Sequence, residues 1–288
     1  MRIALGLSYL GRAYEGWQSQ LSGRTIQDHL ESALLSFTQH HIRTHCAGRT
    51  DAKVHALMQV VHFDSPVLRD NASWVRGLNS FLPEDIGVQW AAQVEETFDA
   101  RKCALSRKYI YLLLESAVRP SLESGRVGWS FKPLDAQLMI DGSKHLLGTH
   151  DFSSFRAAAC QALSPIKTLS SIKIGRAGAK RQELVQHHSS WADEKLMGKQ
   201  IDSERSSYWR FEFEGNAFLH HMIRNIMGCL IYIGQGKNPP SWMREVLLAK
   251  SRDAAAPTFA AEGLYFAGPR YDPKWGLPQD TPTFNFLP

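Results

Sequence analysis

The stretch Ala47 to Ala56, AGRTDAKVHA, holds the densest group of side chains that could do chemistry. Arg49 and Asp51 lie two residues apart, with Thr50 between them. An arginine beside a carboxylate lowers its pKa and keeps it ionised. An ionised aspartate can then serve as a nucleophile or a base. Residue types alone leave a plainer arrangement open, in which Asp51 caps the next turn and Arg49 makes a surface ion pair. Gly48, just ahead, permits tight backbone geometry.

A second group lies in Asn216 to Gly228, NAFLHHMIRNIMG. Read as a helix, it turns Phe218, Met222, Ile226 and Met227 toward a core. His220 and Arg224, four residues apart, then share a face. Arginine is seldom buried without a partner, so Arg224 either meets a carboxylate or phosphate or reaches out to solvent. Tyr109 follows Arg107 and Lys108 at the start of an apolar run. It could stack on a base, or be a core aromatic beside two solvated cations, since tyrosine favours strands. Arg12, Arg24, Arg101, Lys102 and Arg156 are scattered cations of the kind that, beside aromatics, suits nucleic-acid grooves.

Other chemistries find little support. The pairs His40-His41, His187-His188 and His220-His221 suggest a metal, but neighbours point apart on a helix or strand, and no HExxH-like spacing occurs. No metal site is predicted. There is no P-loop and no GxGxxG, so no nucleotide cofactor is predicted either. Cys46, Cys103, Cys160 and Cys229 are widely spaced with no CxxC, which fits reduced thiols in a cytosolic protein.

The elements that must hold these groups alternate along the chain. Strands are predicted at Ile3–Tyr9, Gln59–Phe63, Gly87–Ala91, Lys108–Leu114, Thr168–Gly175, Trp209–Phe213 and Gly263–Ala267 from apolar runs or alternation. Helices are predicted at Thr25–Phe37, from Trp74, at Asp135–Leu147, at Phe218–Ile233 and at Trp242–Ala249, each with an apolar face. Thr25 with Asp28 resembles a capping box. The AGRTDAKVHA segment falls between a helix and a strand and reads as a loop. The order is not a strict βαβ repeat. It predicts an α+β fold with mostly antiparallel sheets covered by helices on one face. A looser stretch, Glu115 to Pro133, places a boundary between domains at 1–115 and 116–288. A polar, aperiodic insertion at about 176–207 reads as a surface excursion joining two strands.

Composition bounds the rest. The chain has 288 residues, 43% hydrophobic and 21% charged, which is ordinary globular usage and excludes disorder as the main state. The net charge of +5 permits an anionic partner without demonstrating one. The longest apolar run, near Ile226 to Ile233, is too short for a membrane span, and no signal peptide is predicted.

The motif AGRTDAKVHA resembles the catalytic motif of the bacterial tRNA pseudouridine synthases of the TruA family. LSYLGRAYEGWQSQ (Leu7 to Gln20), SRKYIY (Ser106 to Tyr111), LLGTHDFSSFR (Leu146 to Arg156), NAFLHHMIRNIMG and AEGLYF (Ala261 to Phe266) resemble further family motifs, in the family's order. The resemblance runs over nearly the whole chain. It implies a pseudouridine-synthase-like fold and the isomerisation of uridine to pseudouridine at positions 38 to 40, in the anticodon stem-loop of tRNA. It implies that Asp51 is the catalytic aspartate and Arg224 the basic residue paired with it. Tyr109 matches the residue stacking on the target base, and Leu264 the apolar residue packing near the uracil. Arg49 matches the arginine that helps displace the target nucleotide. A homodimer, a cytoplasmic location and the absence of a cofactor follow from the same resemblance. The other reading kept is a tRNA-binding chaperone with the same fold and little or no catalysis.

Two departures stand out. Lys53 occupies a place where the family motif usually has glycine. A positive φ there would strain a lysine; alternatively Lys53 adds a phosphate contact. The 176–207 insertion is also longer than the family pattern, and is either an idle loop or an added RNA contact.

Overall fold

The computed structural model describes residues 1–158, 160–177 and 206–278. In its first part, β1 (Arg2–Tyr9) leads to α1 (Ile26–Thr38), a short β2 (His45–Cys46), β3 (His55–Asp64), α2 (Asn71–Asn79), β4 (Ile86–Val94) and β5 (Ser106–Glu115). There follow β6 (Gly128–Ser130), α3 (Ala136–Lys144), β7 (Gly148–Asp151), β8 (Ile166–Ala177) and β9 (Ser207–Gly215). The chain then forms α4 (Met222–Gly234), α5 (Trp242–Ala249) and β10 (Leu264–Arg270).

The strands form one sheet in the order β4-β1-β3-β10-β5-β9-β8-β7, with β2 on β3 and β6 on β5. It is mixed: β10 runs parallel to β3 and β6 parallel to β5, and the other pairs are antiparallel. With its five helices this is an α+β fold. Strand β10, late in the chain, joins β3 to β5, with Tyr265 opposite His55 on one side and Ile110 on the other. The polar insertion connects the paired strands β8 and β9; its residues 178–205 lie outside the described residues, as do His187 and His188.

Burial explains which runs became strands. In β5, Tyr109, Tyr111 and Leu113 join the main core, while Ile110, Leu112 and Leu114 join a smaller cluster with Leu57, Val127, Tyr265 and Ala267. Both faces are therefore covered, and the strand reads as an unbroken apolar run. The main core takes Leu30 and Leu34 from α1, Trp74 from α2, Met139 from α3 and Ile226 from α4. Fully buried Trp74 meets Phe37 and Phe63 edge-on, both at 5.4 Å. Each such side chain contributes about 1.5–3 kcal/mol by leaving water.

Helix ends follow their caps. Thr25 accepts from the Asp28 amide at α1, and Asp135 accepts from the Leu138 amide at α3. The predicted helix from Phe218 is corrected: α4 begins only at Met222, because His221 sits in the left-handed region at φ 62°. The short strands β2, β6 and β7 were not expected from the pattern, being two to four residues long.

Candidate active site

The loop from Ala47 to Val54 is held by backbone contacts on both sides. The Ala47 amide donates to Val60 O, the Trp17 amide to Thr50 O and the Val54 amide to Asp51 O. The Thr50 hydroxyl and the Tyr9 hydroxyl are 2.8 Å apart in the core. The close approaches are made at Gly11, where a Cβ would stand 1.9 Å from Val54 O, and at Gly16, not at Gly48. Gly16 has φ 95°, and a Cβ there would stand 2.7 Å from Thr50 O. A Cβ on Gly48 would meet only ordinary contacts, at 3.6 Å and beyond. Lys53 does have a positive φ, 67°. Its Nζ lies 3.2 Å from Glu262 Oε1.

Asp51 is only 17% exposed at its side chain and faces three nitrogen-bearing groups. His220 Nε2 lies 3.3 Å from Oδ1, His221 Nε2 3.5 Å from Oδ2, and Arg224 Nη1 donates to Oδ2 at 3.3 Å. Burial opposes ionisation of Asp51, but the hydrogen bond from His220 and the charges of His221, His220 and Arg224 outweigh it. The carboxyl is held below its usual range. The Asp51 contact raises His220, while burial lowers His221. All three groups come from the first turn of α4 or the two residues before it, the end that carries the positive pole of the helix dipole.

The convergence of His220 and His221 departs from the sequence expectation that neighbours point apart. The left-handed backbone at His221 breaks the helical geometry on which that expectation rests, and the two rings stand 4.1 Å apart. Nor do His220 and Arg224 share a helix face, since His220 precedes α4. Arg224 does not reach for solvent: its side chain is 16% exposed, and its Nε donates to Phe259 O at 3.0 Å while the Phe259 amide donates back to Arg224 O. Beside it, fully buried Asn225 donates to Phe155 O and accepts from the Thr258 hydroxyl, fixing the helix start.

Tyr109, on β5, is 9% exposed, between Phe218 at 5.0 Å and Phe266 at 4.9 Å. Burial, with the Asp51 charge, keeps its hydroxyl protonated. Leu264, 5% exposed, opens β10 opposite Tyr111. Arg107 is not a solvated cation: its guanidinium donates to Ala104 O and Asn216 O, and also reaches Ala47 O and Arg101 O. Arg49 is exposed, with Nη1 3.5 Å from Gln161 Oε1. Asp51, Arg49, Tyr109, Arg224 and Leu264 all line one cleft of about 1390 Å³. Arg43, Arg101 and Lys102 line it too. Residues that motif spacing did not single out also hold this site, chiefly His55. Its Nδ1 accepts from the Gly11 amide at 2.9 Å and its Nε2 donates to Glu262 O at 3.0 Å.

Comparison with known proteins agrees with this architecture. Residues 7–101 and 143–272 match a family model described as tRNA pseudouridine synthase. The tRNA pseudouridine synthases A of Albidiferax ferrireducens and Delftia acidovorans are each 58% identical over 288 residues, covering 100% of both chains. That of Polaromonas naphthalenivorans is 58% identical over 289 residues, again with 100% coverage of both. A solved Cbf5-Nop10-Gar1 complex matches 80% of this chain and 45% of its own at a TM-score of 0.30 and 10% identity, too slight a likeness to build on. The class these matches define is that of the pseudouridine synthases, which are isomerases. The chain belongs to the tRNA pseudouridine synthase family. Among the described residues, no helix is long and apolar enough to cross a membrane.

Proposed function

We propose that the protein isomerises uridine to pseudouridine at positions 38 to 40 in the anticodon stem-loop of tRNA, with Asp51 as the catalytic carboxylate. The observation that carries this reading is a partly buried, ionised Asp51 aimed by Arg224 into a cleft with a cationic rim. A uridine inside a stem cannot present C1′ or C6 to a carboxylate, so the nucleotide must leave the stack, at about a few kcal/mol. Arg49, exposed at the cleft, is placed to fill the vacated space and hold phosphate. Tyr109 offers its ring to the displaced base, and Leu264 packs near the uracil. Arg43, Arg101 and Lys102 provide charge for the RNA backbone.

The N1–C1′ bond breaks, a C5–C1′ bond forms, and the C5 proton is replaced by one on N1. Substrate and product are isomers, so the reaction consumes no redox equivalent, and the reading includes no cofactor. It also includes a homodimer, a cytoplasmic location and the division of the chain at 115/116, with the cleft where the two parts meet.

The test is Asp51→Ala, assayed by carbodiimide and primer extension across the anticodon stem. The expected outcome is loss of pseudouridine with tRNA binding kept. Turnover at the wild-type rate in the variant would remove Asp51 from the reaction. Wild-type protein that binds tRNA without forming pseudouridine would instead be a binding protein of the same fold.

A further inference from the structure

We propose that Asp51, His220 and His221 form a binding site for a divalent transition-metal cation of the zinc class, and that the cation inhibits the enzyme by taking the Asp51 carboxylate as a ligand. The three groups each offer one donor atom, all within 4.8 Å of one another. The two contacts to the carboxylate are 3.3 and 3.5 Å. Tetrahedral zinc with bonds of about 2.0–2.1 Å sets its donors about 3.3 Å apart. The two carboxylate contacts are close to that edge length, one on each oxygen, and with all three donors within 4.8 Å a small side-chain adjustment brings them onto one ion.

Chemistry and access agree. Two imidazoles and one carboxylate form a borderline donor set that suits zinc, copper, iron or nickel, whereas magnesium and calcium prefer all-oxygen sets. His220 and His221 are 39% and 29% exposed at their side chains, so a hydrated ion reaches them from the cleft. Three protein donors leave a fourth position for water, as at zinc sites with three protein ligands.

Arg224 opposes a second cation by charge, and makes the site weaker than a structural zinc site. It does not block it. An ionised carboxylate has about four lone-pair positions; Arg224 takes one on Oδ2, and the position on Oδ1 that faces His220 Nε2 at 3.3 Å is freed once that imidazole gives its lone pair to the ion. A ligating carboxylate that also accepts a hydrogen bond from a neighbouring side chain is usual at metal centres. Arg224 is moreover tied to Phe259 O and keeps its place. The site exists because of the left-handed backbone at His221, which sets two consecutive imidazoles on the same carboxylate.

Binding is independent of the functional reading, whereas inhibition rests on Asp51 being the catalytic group. The two are separated by measuring binding without RNA. Zinc is titrated into the purified full-length chain by calorimetry, and cobalt(II) is used as a visible-absorption probe of tetrahedral coordination. One ion per chain is expected, with affinity at least tenfold weaker in the His220→Gln/His221→Gln double variant. Thermal melting verifies that the variant folds, and a single His221→Gln variant is the fallback if it does not. Cys160→Ser, altering one of the two cysteine thiols that line the cleft with Cys46, is expected to leave binding unchanged. Absence of binding, equal binding in a folded histidine variant, or loss of binding in Cys160→Ser would each overturn the assignment. Zinc is expected to suppress pseudouridine formation by wild type at the concentrations that fill the site, EDTA to restore it, and magnesium to have no such effect. Turnover that continues at full rate with the ion bound would overturn the inhibition.

Discussion

Arg224 Nη1 and Asp51 Oδ2 stand 3.3 Å apart although 173 residues separate them in the chain. The contact ties the loop before β3 to the first turn of α4. It also accounts for an arginine on a helix whose other residues are almost all buried. Arg224 is held from behind by Phe259 O, so one planar group bridges a carbonyl and a carboxylate. A point charge on a flexible stem cannot reproduce that geometry.

Replacing Arg224 with leucine leaves the partly buried Asp51 with two imidazoles only. The carboxyl pKa rises and its aim loosens. We expect kcat for pseudouridine formation to fall at least about 100-fold, near 2.7 kcal/mol, and the acid limb of the rate profile to move to higher pH. Arg224→Lys should recover only part of the loss. A pH series of single-turnover rates decides the matter, and an unchanged profile in Arg224→Leu would show that Arg224 does not act through Asp51.

Lys53 tests the backbone of the same loop. At φ 67° a side chain is tolerated but strained, and a β-branched one is a genuine outlier. The ion pair of Lys53 with Glu262 is 57% exposed on the lysine side and contributes little. Lys53→Gly relieves the strain but enlarges the entropy of the unfolded chain, so its stability should stay within about 1 kcal/mol of wild type. Lys53→Val should lose about 1–2 kcal/mol. Urea midpoints of the two variants check this, and equal midpoints would show that the positive φ carries no cost.

His55 sets a pH dependence of folding. Burial pushes its pKa from 6.5 down to about 4, outweighing the hydrogen bond to Glu262 O, which by itself raises it. The folded value lies below the unfolded one, so the unfolded chain takes up the proton first as pH falls. The stability linked to His55 is full above about 6.5 and is lost between there and about 4. The loss amounts to about 3 kcal/mol at most. Melting curves across that range for wild type and His55→Gln should converge at the acid end. Parallel curves would mean that His55 is not the group responsible.

Much of this was legible in the residues. Thr25 announces α1, and the alternation from Trp209 to Phe213 announces β9. The loop carrying Asp51 falls where turn-forming residues interrupt the periodicity. What the pattern could not supply was long-range. Nothing local to Leu264–Arg270 says that this strand enters between β3 and β5. Nothing local to His221 says that its backbone turns left-handed, so α4 was expected four residues too early and its two histidines on divergent vectors. Gly48 and Gly16 show the same limit. A glycine in the motif draws attention, but those that sterics require, Gly16 and Gly11, lie some thirty to forty residues away and meet the loop only in three dimensions.

The place of β10 has a consequence for synthesis on the ribosome. Strand β3, which follows the Asp51 loop, and strand β5, which carries Tyr109, share no hydrogen bonds until β10 lies between them. A nascent chain that ends before Leu264 therefore leaves His55 and Ala56 of β3 and Ser106 to Tyr111 of β5 without their β10 partner, beyond the short pairings with β2 and β6, and such an edge captures strands from other chains. Closure waits for a contact between residues some two hundred positions apart, and such non-local closures are slow. A product terminated before β10 is thus expected to be both inactive and prone to aggregate, and the cell receives a working enzyme only once Leu264–Arg270 has been made and has left the ribosome.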